Sequence, residues 1–412
     1  MTDGNNEVRI LRDLVKRYRD CCHRPGQEEL RGLWRRHNSL KPTRPLVTVF
    51  ASGNLAWKEF PESVNRCSDP LFVAYESWYQ KLLWVASLAD DSIFDPFIGV
   101  HAERVLPPGG HWGVSTGSTA YSAEGGRNMY HDVPIKTRAD MQKLVRPRHL
   151  IDEEKTRVKI ARMQDAVGDI LPVVPNRAPA WMGFAGDLST DLALLIGLEQ
   201  MMMLMCEDPE WLHEILAFMR DGVLGTHDAA EAAGDFSYFN SSNQAMAFSE
   251  ELPDPAPGRA NRKDLWGYFA AQEFTGVSPD MHEMFLLKYQ LPIMRPFGLV
   301  AYGCCEDLTR KIDMLRQVPN LRRIAVTPVA DVARSAEQIK RDYVLSWRPN
   351  PADVCCNFDE ARVRRIIRDG LAATRDCYVD IALKDISTVQ NEPARISRWV
   401  RIVREEIERG GS

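Results

Sequence analysis

The stretch "YGCCED" at residues 302–307 combines two adjacent thiols with two carboxylates, where an apolar run gives way to a helical pattern. A thiol at the end of a strand can ligate a soft divalent ion or act as a nucleophile. The carboxylates of Glu306 and Asp307 would raise the thiol pKa and suppress the thiolate, whereas a bound cation would reverse this effect. Alternatively, Cys304 and Cys305 are small packing residues, and the two acids favour the N-terminus of the following helix.

A second stretch, "DMHEMF" at residues 280–285, nearly matches D-x-H-x-x-G, the loop that holds a cobalt corrinoid through its histidine. Phe285 occupies the glycine position, and Ser278, Pro279 and Glu283 form a typical helix start. We therefore interpret the stretch as a helix and predict no corrinoid-carrying domain within this chain.

These groups must be positioned by a regular alternation of strand and helix patterns. From residue 298 onward the two alternate four times with short links, which predicts parallel strands joined by crossover helices. A doubly wound open sheet is the alternative, but no G-x-G-x-x-G motif follows any strand. We therefore predict an α/β fold, a (β/α)8 barrel of the TIM type with insertions. The predicted strands lie near residues 46, 94, 171, 236, 298, 322, 343 and 378.

In a barrel of this type, chemistry occurs in the loops that follow the C-terminal ends of the strands. Polar and thiol groups recur at those positions, and packing of an apolar core does not require them. The candidates after the last four predicted strands are Tyr302, Cys304, Cys305 and Glu306; Thr327 and Asp331; Trp347 and Asn350; and Asp380, Lys384 and Asp385.

We predict one domain over residues 1–412, with an N-terminal helical segment at 1–45 and two long insertions at 107–132 and 241–265. Aromatic residues in and beside these insertions would suit an aromatic ligand, or equally a lid that packs on the barrel. The candidates for substrate binding are Trp112, Tyr130, Trp266 and Trp347, with Tyr121 and Tyr268 in the same regions.

The composition is that of a soluble globular protein, with 44% hydrophobic and 26% charged residues. A formal net charge of −5 and the absence of a dominant basic patch argue against a nucleic-acid partner. The N-terminus has no apolar signal core, and the most apolar segment is interrupted by Glu199 and Gln200. We therefore expect a cytoplasmic protein with no membrane association.

Nine cysteines are present, six of them in adjacent pairs. The odd total and the expected cytoplasmic setting argue against a disulfide framework. No C-x-x-C pair occurs, which excludes a zinc ribbon and a thioredoxin-like motif. Free thiols are the prediction for the cysteines outside the "CC" pair of residues 304 and 305.

The chain resembles the uroporphyrinogen decarboxylase superfamily along most of its length. The resemblance is carried by "FGLVAYGCCEDLTRKIDMLRQVPNLRRIAVTPVADVARSAEQIKRDYVLSWRPNP", by "MCEDPEWLHEILAFM", by "LWRRHNSLKPTRPLVTVF" and by "LIDEEKTRVKIARMQDAVGDILPVV". It is strongest toward decarboxylase-like proteins associated with corrinoid-dependent methyltransferase (O-demethylase) systems. The superfamily's (β/α)8 fold agrees with the strand count. The arginine-rich "RQAGRY"-type segment of the true decarboxylases is absent, and "RPLVTVFASGNLAWKEFP" stands in its place.

The methyltransferase branch of the superfamily holds zinc with a His-x-Cys pair and a later Cys, and zinc there serves as a Lewis acid. Here Cys304 falls on the first Cys, but Tyr302 falls on the His, and the last strand offers Asp380, Lys384 and Asp385 instead of Cys. The resemblance thus implies either a rearranged zinc site or one without metal. The first would combine Cys304 with Glu306, Asp331 or Glu273; the second would use Tyr302 and the Lys384/Asp385 pair as general acids.

The function that the resemblance implies is transfer of a methyl group from a small methoxylated or N-methylated donor to Co(I) of a corrinoid. The corrinoid would be carried by a separate protein, and the superfamily makes a homodimer the expected assembly. The alternatives are a uroporphyrinogen decarboxylase-like decarboxylase and a barrel that binds a tetrapyrrole or another small ligand without catalysis.

Overall fold

The computed structural model describes residues 3–50, 55–120, 129–182 and 186–410. The α-helices are α1 Asp3–Cys22, α2 Gln27–Asn38, α3 Pro70–Ser87, α4 Glu153–Val167, α5 Ser189–Ile196, α6 Leu198–Glu207, α7 Pro209–Ala233, α8 Pro279–His282, α9 Lys288–Met294, α10 Ile312–Leu315, α11 Val332–Ile339, α12 Ala352–Cys355, α13 Glu360–Ala373 and α14 Ala394–Gly410. The strands are β1 Leu46–Val49, β2 Ile98–His101, β3 Gly117–Ala120, β4 Met129–Asp132, β5 Val173–Asn176, β6 Trp266–Phe269, β7 Leu299–Tyr302, β8 Leu321–Val326, β9 Val344–Trp347 and β10 Tyr378–Leu383.

Six strands form one parallel sheet in the order β1-β10-β9-β8-β7-β6. Strands β2 and β5 form a second, two-stranded parallel sheet, and β3 and β4 form an antiparallel hairpin within the predicted insertion. The α/β class is thus confirmed. In the described ranges the strand ladders do not join the two parallel sheets into a closed barrel.

Two strand positions differ from the sequence prediction. The stretch near residue 236 contains a 3-10 turn, Tyr238–Asn240, because the side chains of Ser237 and Asn240 bond local backbone groups in a capping box. The strand in this part of the chain is β6, directly after the predicted insertion, and it pairs with β7. Its aromatic residues are buried on both faces of the sheet. The sequence pattern predicts no strand at these residues.

The two faces of the six-stranded sheet carry different side chains, since successive residues of a strand point to opposite sides. One face is apolar and belongs to the main core: Val47, Val300, Ile324, Leu345 and Ile381 are fully buried there. The same core contains residues of α7, α9, α11, α13 and α14. The opposite face contains a polar network, which is described next, and the smaller apolar clusters around Leu46 and Trp266.

A buried ion pair spans the middle of the sheet. Arg323 Nη2 of β8 donates to Asp380 Oδ2 of β10 at 2.6 Å, and both side chains are 1% exposed. Ser346 of β9 donates to Asp380 Oδ1 at 2.9 Å, and His37 at the end of α2 contacts Asp380 Oδ2 at 3.2 Å. Burial opposes ionisation of Asp380, but the Arg323 charge and the His37 bond hold its pKa at about 2. Burial lowers the pKa of His37.

No single helix in the described residues is long and apolar enough to span a membrane. The helices Ser189–Ile196 and Leu198–Glu207 pass that test only as a pair, and they are bent by 94° relative to each other.

We expect Arg323→Met to lower the free energy of unfolding by about 3–5 kcal/mol, because it leaves the Asp380 carboxylate buried without its charge partner. Urea unfolding followed by circular dichroism measures this change. Arg157→Met is the matched control: its ion pair with Glu154 is largely exposed and should change stability by less than about 1 kcal/mol. Removing both charges, in Arg323→Met with Asp380→Leu, should destabilise less than the single change. Equal effects of Arg323→Met and Arg157→Met would contradict the assigned role.

Candidate active site at the cysteine pair

The loop after β7 turns at Gly303, whose φ of +103° favours glycine. A Cβ added to Gly303 would lie 2.6 Å from Leu308 Cδ1 and 2.9 Å from Ala325 Cβ. No other residue fits this position without displacing its neighbours, so the turn directs Cys304 and Cys305 off the end of the strand.

Glu306 holds the same loop in place by accepting hydrogen bonds from three backbone N–H groups. Its carboxylate accepts from Cys304 N at 2.8 Å, from Cys305 N at 3.0 Å and from Ala271 N, after β6, at 2.7 Å. The side chain is fully buried, and burial raises its pKa. Glu306 therefore positions the cysteine pair, and both of its oxygens are occupied by backbone donors.

Arg348, the residue after β9, holds the loop from a third strand. Its Nη1 donates to the carbonyl oxygen of Cys304 at 2.6 Å and to that of Gly303 at 3.3 Å. The side chain is buried. Groups from β6, β7 and β9 thus determine where the two thiols lie.

The Cys304 thiol lies among several hydrogen-bonding partners. Lys384 Nζ, after β10, donates to Cys304 Sγ at 3.2 Å, and Gln244 Nε2 donates at 3.6 Å. The Sγ atoms of Cys304 and Cys305 are 3.5 Å apart, and both thiols are free. Cys304 is buried, whereas Cys305 is exposed.

These partners separate the pKa values of the two thiols. The hydrogen bond from Cys305, followed by the charge of Lys384 and bonds from Tyr268 and Gln244, lowers the pKa of Cys304 to about 5 against the effect of burial. The same contact raises the pKa of Cys305, and burial adds to the increase. These directions favour a thiolate on Cys304 and a thiol on Cys305.

Lys384 and Asp385 extend this arrangement toward solvent. Lys384 also donates to Cys305 Sγ at 3.7 Å and pairs with Asp385 Oδ2 at 3.2 Å. Cys305 Sγ lies 3.8 Å from the same carboxylate oxygen. The structure therefore brings together the predicted residues Cys304, Lys384 and Asp385, with the thiolate at the buried end and the carboxylate at the exposed end.

Tyr302 lies on the opposite, helix-facing side of β7. Its hydroxyl donates to Gln290 Oε1 at 2.7 Å and contacts His282 Nε2 at 2.9 Å. Burial raises the pKa of Tyr302 far above its ordinary value and lowers the pKa of His282 to about 3. The contacts of Tyr302 thus join it to the helices at 279–294 and not to the cysteine pair.

Other predicted site residues take part in packing or capping. Asp331 is the N-cap of α11 and accepts from Arg334 N at 3.0 Å. Trp347 packs on α13, where a Cβ added to Gly370 would lie 2.0 Å from the indole ring. Trp266 is fully buried and donates its indole N–H to the carbonyl oxygen of Ala247.

The predicted residues of the first insertion are only partly described. Trp112 is buried, and its indole N–H donates to Asp191 Oδ2 at 2.7 Å. Tyr130 lies in β4, but its side chain is outside the described residues, as is all of Tyr121.

A group of carboxylates lies behind the cysteine loop. Asp187 is fully buried and its Oδ2 has no hydrogen-bond partner among the described residues; the same holds for Glu273 Oε2. Burial, followed by the charge of Glu273, raises the pKa of Asp187 far above its ordinary value.

The described residues do not fit a zinc site. No group of three or more His, Cys, Asp or Glu side chains with the geometry of a metal site occurs among them. The cation in contact with Cys304 Sγ is the Lys384 ammonium, and the oxygens of Glu306 are bonded to backbone N–H groups. The zinc ligands proposed from sequence, Cys304 and Glu273, stay a prediction that these contacts do not support. We derive no step through a metal.

Sequence reasoning missed Gln244 and Arg348 as neighbours of Cys304. Arg348 was recognisable by strand alternation, because it follows Trp347 and must point to the opposite face. Gln244 lies in the predicted insertion, and only its contacts with Cys304 Sγ and Tyr268 OH in the folded chain place it at the site.

No protein-family model matches the sequence, and no curated protein matches it. Among solved structures, a methyltransferase from Methanosarcina mazei is similar over 93% of this chain and 99% of its own chain. The sequence identity is 10% and the TM-score is 0.48, so this match assigns neither a family nor an activity to the chain.

We expect Cys304 to react as a thiolate at neutral pH. Its alkylation rate with iodoacetamide, followed by peptide mass spectrometry, should rise with pH, and the midpoint of this rise should lie at about pH 5. Lys384→Met should move this midpoint upward by roughly one to three pH units, because it removes the adjacent positive charge. Lys143→Met, which removes an exposed lysine that pairs with Asp140, is the matched control and should leave the profile unchanged. A wild-type midpoint near the ordinary thiol value of about 8.5 would refute the assignment.

Proposed function

We propose that the protein is a methyltransferase that moves a methyl group from a small methoxylated or N-methylated donor to Co(I) of a corrinoid on a separate protein. The observation that supports this function best is the contact of Lys384 Nζ with Cys304 Sγ at 3.2 Å. It joins the ends of β7 and β10, the two strand ends from which the resembling methyltransferases take their thiolate ligands. Here a lysine stands where the resemblance implies a later cysteine.

The role of Lys384 follows from the balance of the reaction. Methyl transfer from an ether breaks the carbon–oxygen bond, and the bonding electron pair stays on oxygen, while Co(I) supplies the electron pair of the new cobalt–carbon bond. An alkoxide is a poor leaving group, so the oxygen must receive a proton. We assign Lys384 as the acid that supplies it, with Cys304 as the residue that orients the ammonium group.

The surrounding residues support this assignment. Glu306, Gly303 and Arg348 hold the backbone of the cysteine pair, so the thiolate is preorganised and needs no rearrangement during the reaction. Cys305 and Asp385 contact the Lys384 ammonium from the exposed side. They offer a path by which Lys384 regains its proton from solvent.

The wider features of the proposal are a (β/α)8 barrel, a corrinoid carrier protein as partner, a homodimer and a cytoplasmic location. The barrel is supported by chain order. Each strand of the series β1, β2, β5, β6, β7, β8, β9 and β10 pairs in parallel with at least one other. Every such pair joins two neighbours in the series or its first and last members.

A spectroscopic assay tests the function. We expect the protein to convert Co(I) corrinoid to methyl-Co(III) with at least one donor from a panel of methoxyarenes and methylamines. Lys384→Met should lower the rate with methoxyarenes by roughly a hundredfold or more, since general acids contribute about 10²–10⁴. A chelator should have no effect, because the site is proposed to act without metal.

Cys356→Ala serves as the control for thiol substitution, because Cys356 is an exposed free cysteine outside the site. It should retain wild-type activity, whereas Cys304→Ala should lose most of it. Full activity of Lys384→Met would reject the lysine as acid. Loss of activity with the chelator would move the chemistry to a metal, and absence of conversion with every donor would reject the methyltransferase.

A further inference from the structure

A cavity of about 430 Å3 beside β2 has a lining rich in aromatic rings, and this lining includes neither Cys304, Cys305 nor Lys384. Helices α1 and α3 contribute Tyr18, Tyr75, Trp78 and Tyr79. The segments before β2 and after α7 contribute Phe94, Phe97, Tyr238 and Phe239. Its volume is within the range of small-molecule sites, about 300–1,000 Å3.

The rings form two groups, and within each group the rings pack against one another. Tyr18 and Tyr79 have centroids 5.1 Å apart in a tilted arrangement. Phe97 contacts Phe239 edge-on at 5.4 Å and Tyr238 edge-on at 5.9 Å. Packing already restricts the rotamers of these rings, so a ligand that contacts them immobilises little further side-chain freedom.

Asp95 joins the two groups of rings and is the carboxylate of the lining. Its Oδ2 accepts from the Tyr238 hydroxyl at 2.9 Å, and its carbonyl oxygen accepts from the Tyr18 hydroxyl at 3.0 Å. Burial raises the pKa of Asp95 to about 6, against the effects of the Tyr238 bond and the Arg31 charge. A carboxylate in this environment is stabilised by a further positive charge inside the cavity.

The lining residues, all within the described ranges, include no lysine or arginine. His101 is the one histidine among them, and burial, with the charges of Lys159 and Arg104, lowers its pKa. The cavity therefore combines one carboxylate with many ring faces and no built-in cation. The other hydrogen-bonding side chains of the lining include Asn176, Ser241 and the tyrosine hydroxyls. The hydroxyls of Tyr18, Tyr75 and Tyr238 already donate to oxygens of the protein.

We propose that this cavity binds a methylated ammonium cation, held by the aromatic rings and by Asp95. Such a cation interacts with aromatic faces and carries a low hydration cost, as in known aromatic cages. The inference concerns a binding site separate from Cys304 and Lys384, and it does not depend on the proposed methyl transfer.

A larger groove of about 840 Å3 shares part of its wall with the cavity. Tyr75, Trp78, Gly99 and His101 line both spaces. Trp78 is 44% exposed, so its ring forms part of the wall at the outer end.

Titration calorimetry with choline and with its neutral carbon isostere dimethylbutanol tests the site in the full-length protein. The two molecules share a shape and differ in charge. We expect choline to bind roughly tenfold or more tightly than the isostere, because cation–π contacts and the carboxylate favour only the charged ligand. We also expect Asp95→Asn, which keeps the side-chain size, and Trp78→Leu, at a partly exposed position, each to weaken choline binding several-fold.

Asp313→Asn is the matched control, since Asp313 is an exposed carboxylate outside the cavity lining, and it should bind choline as the wild type does. The alkylation profile of Cys304 in Asp95→Asn reports whether that variant is folded. Equal binding of choline and dimethylbutanol would show that the positive charge does not contribute to binding, and it would overturn the proposal. Absence of choline binding, or unchanged binding by a folded Asp95→Asn variant, would overturn it as well.

Discussion

The ion pair between Arg323 and Asp380 is the constraint on which the rest of the structure depends. Both charges are buried inside the sheet, where either one alone would destabilise the fold strongly. Their bonds to Ser346 and to His37 connect three neighbouring strands with the end of α2. This polar core therefore helps to hold together the strands whose C-terminal ends carry the candidate site.

At those strand ends, buried backbone contacts place a negative and a positive charge side by side. Glu306 and Arg348 use their hydrogen-bonding capacity on the backbone around Cys304, which leaves the thiolate to face Lys384. A thiolate stabilised by an ammonium group and by a neighbouring thiol is an arrangement that packing alone does not require. In the aromatic cavity beside β2, by contrast, a carboxylate lies among aromatic rings, and no lysine or arginine lines the space.

Much of this arrangement was predictable from local pattern. The apolar runs and turn residues identified β1 and β7 to β10, and position at a strand end identified Cys304, Lys384 and Asp385 as neighbours at one rim. Successive residues of a strand point to opposite faces, so strand alternation also predicts the face on which a strand-end residue lies. The side chains of Tyr302 and Trp347 both lie on the face toward the helices. The strand at Trp266–Phe269 was missed because its pattern is aromatic on both faces, as befits a strand buried on both sides.

The sequence by itself determined the α/β class, the helical N-terminus, the free thiols and the strand-end positions of the candidate site, because these depend on short-range periodicity and residue type. The tertiary structure decided which of those residues meet. Lys384 lies 80 positions after Cys304 and Gln244 lies 60 before it, and both donate to the same sulfur. The pKa of Cys304 depends first on its sequence neighbour Cys305, but burial and the contacts of Lys384, Tyr268 and Gln244 also act on it, and only the folded chain supplies these.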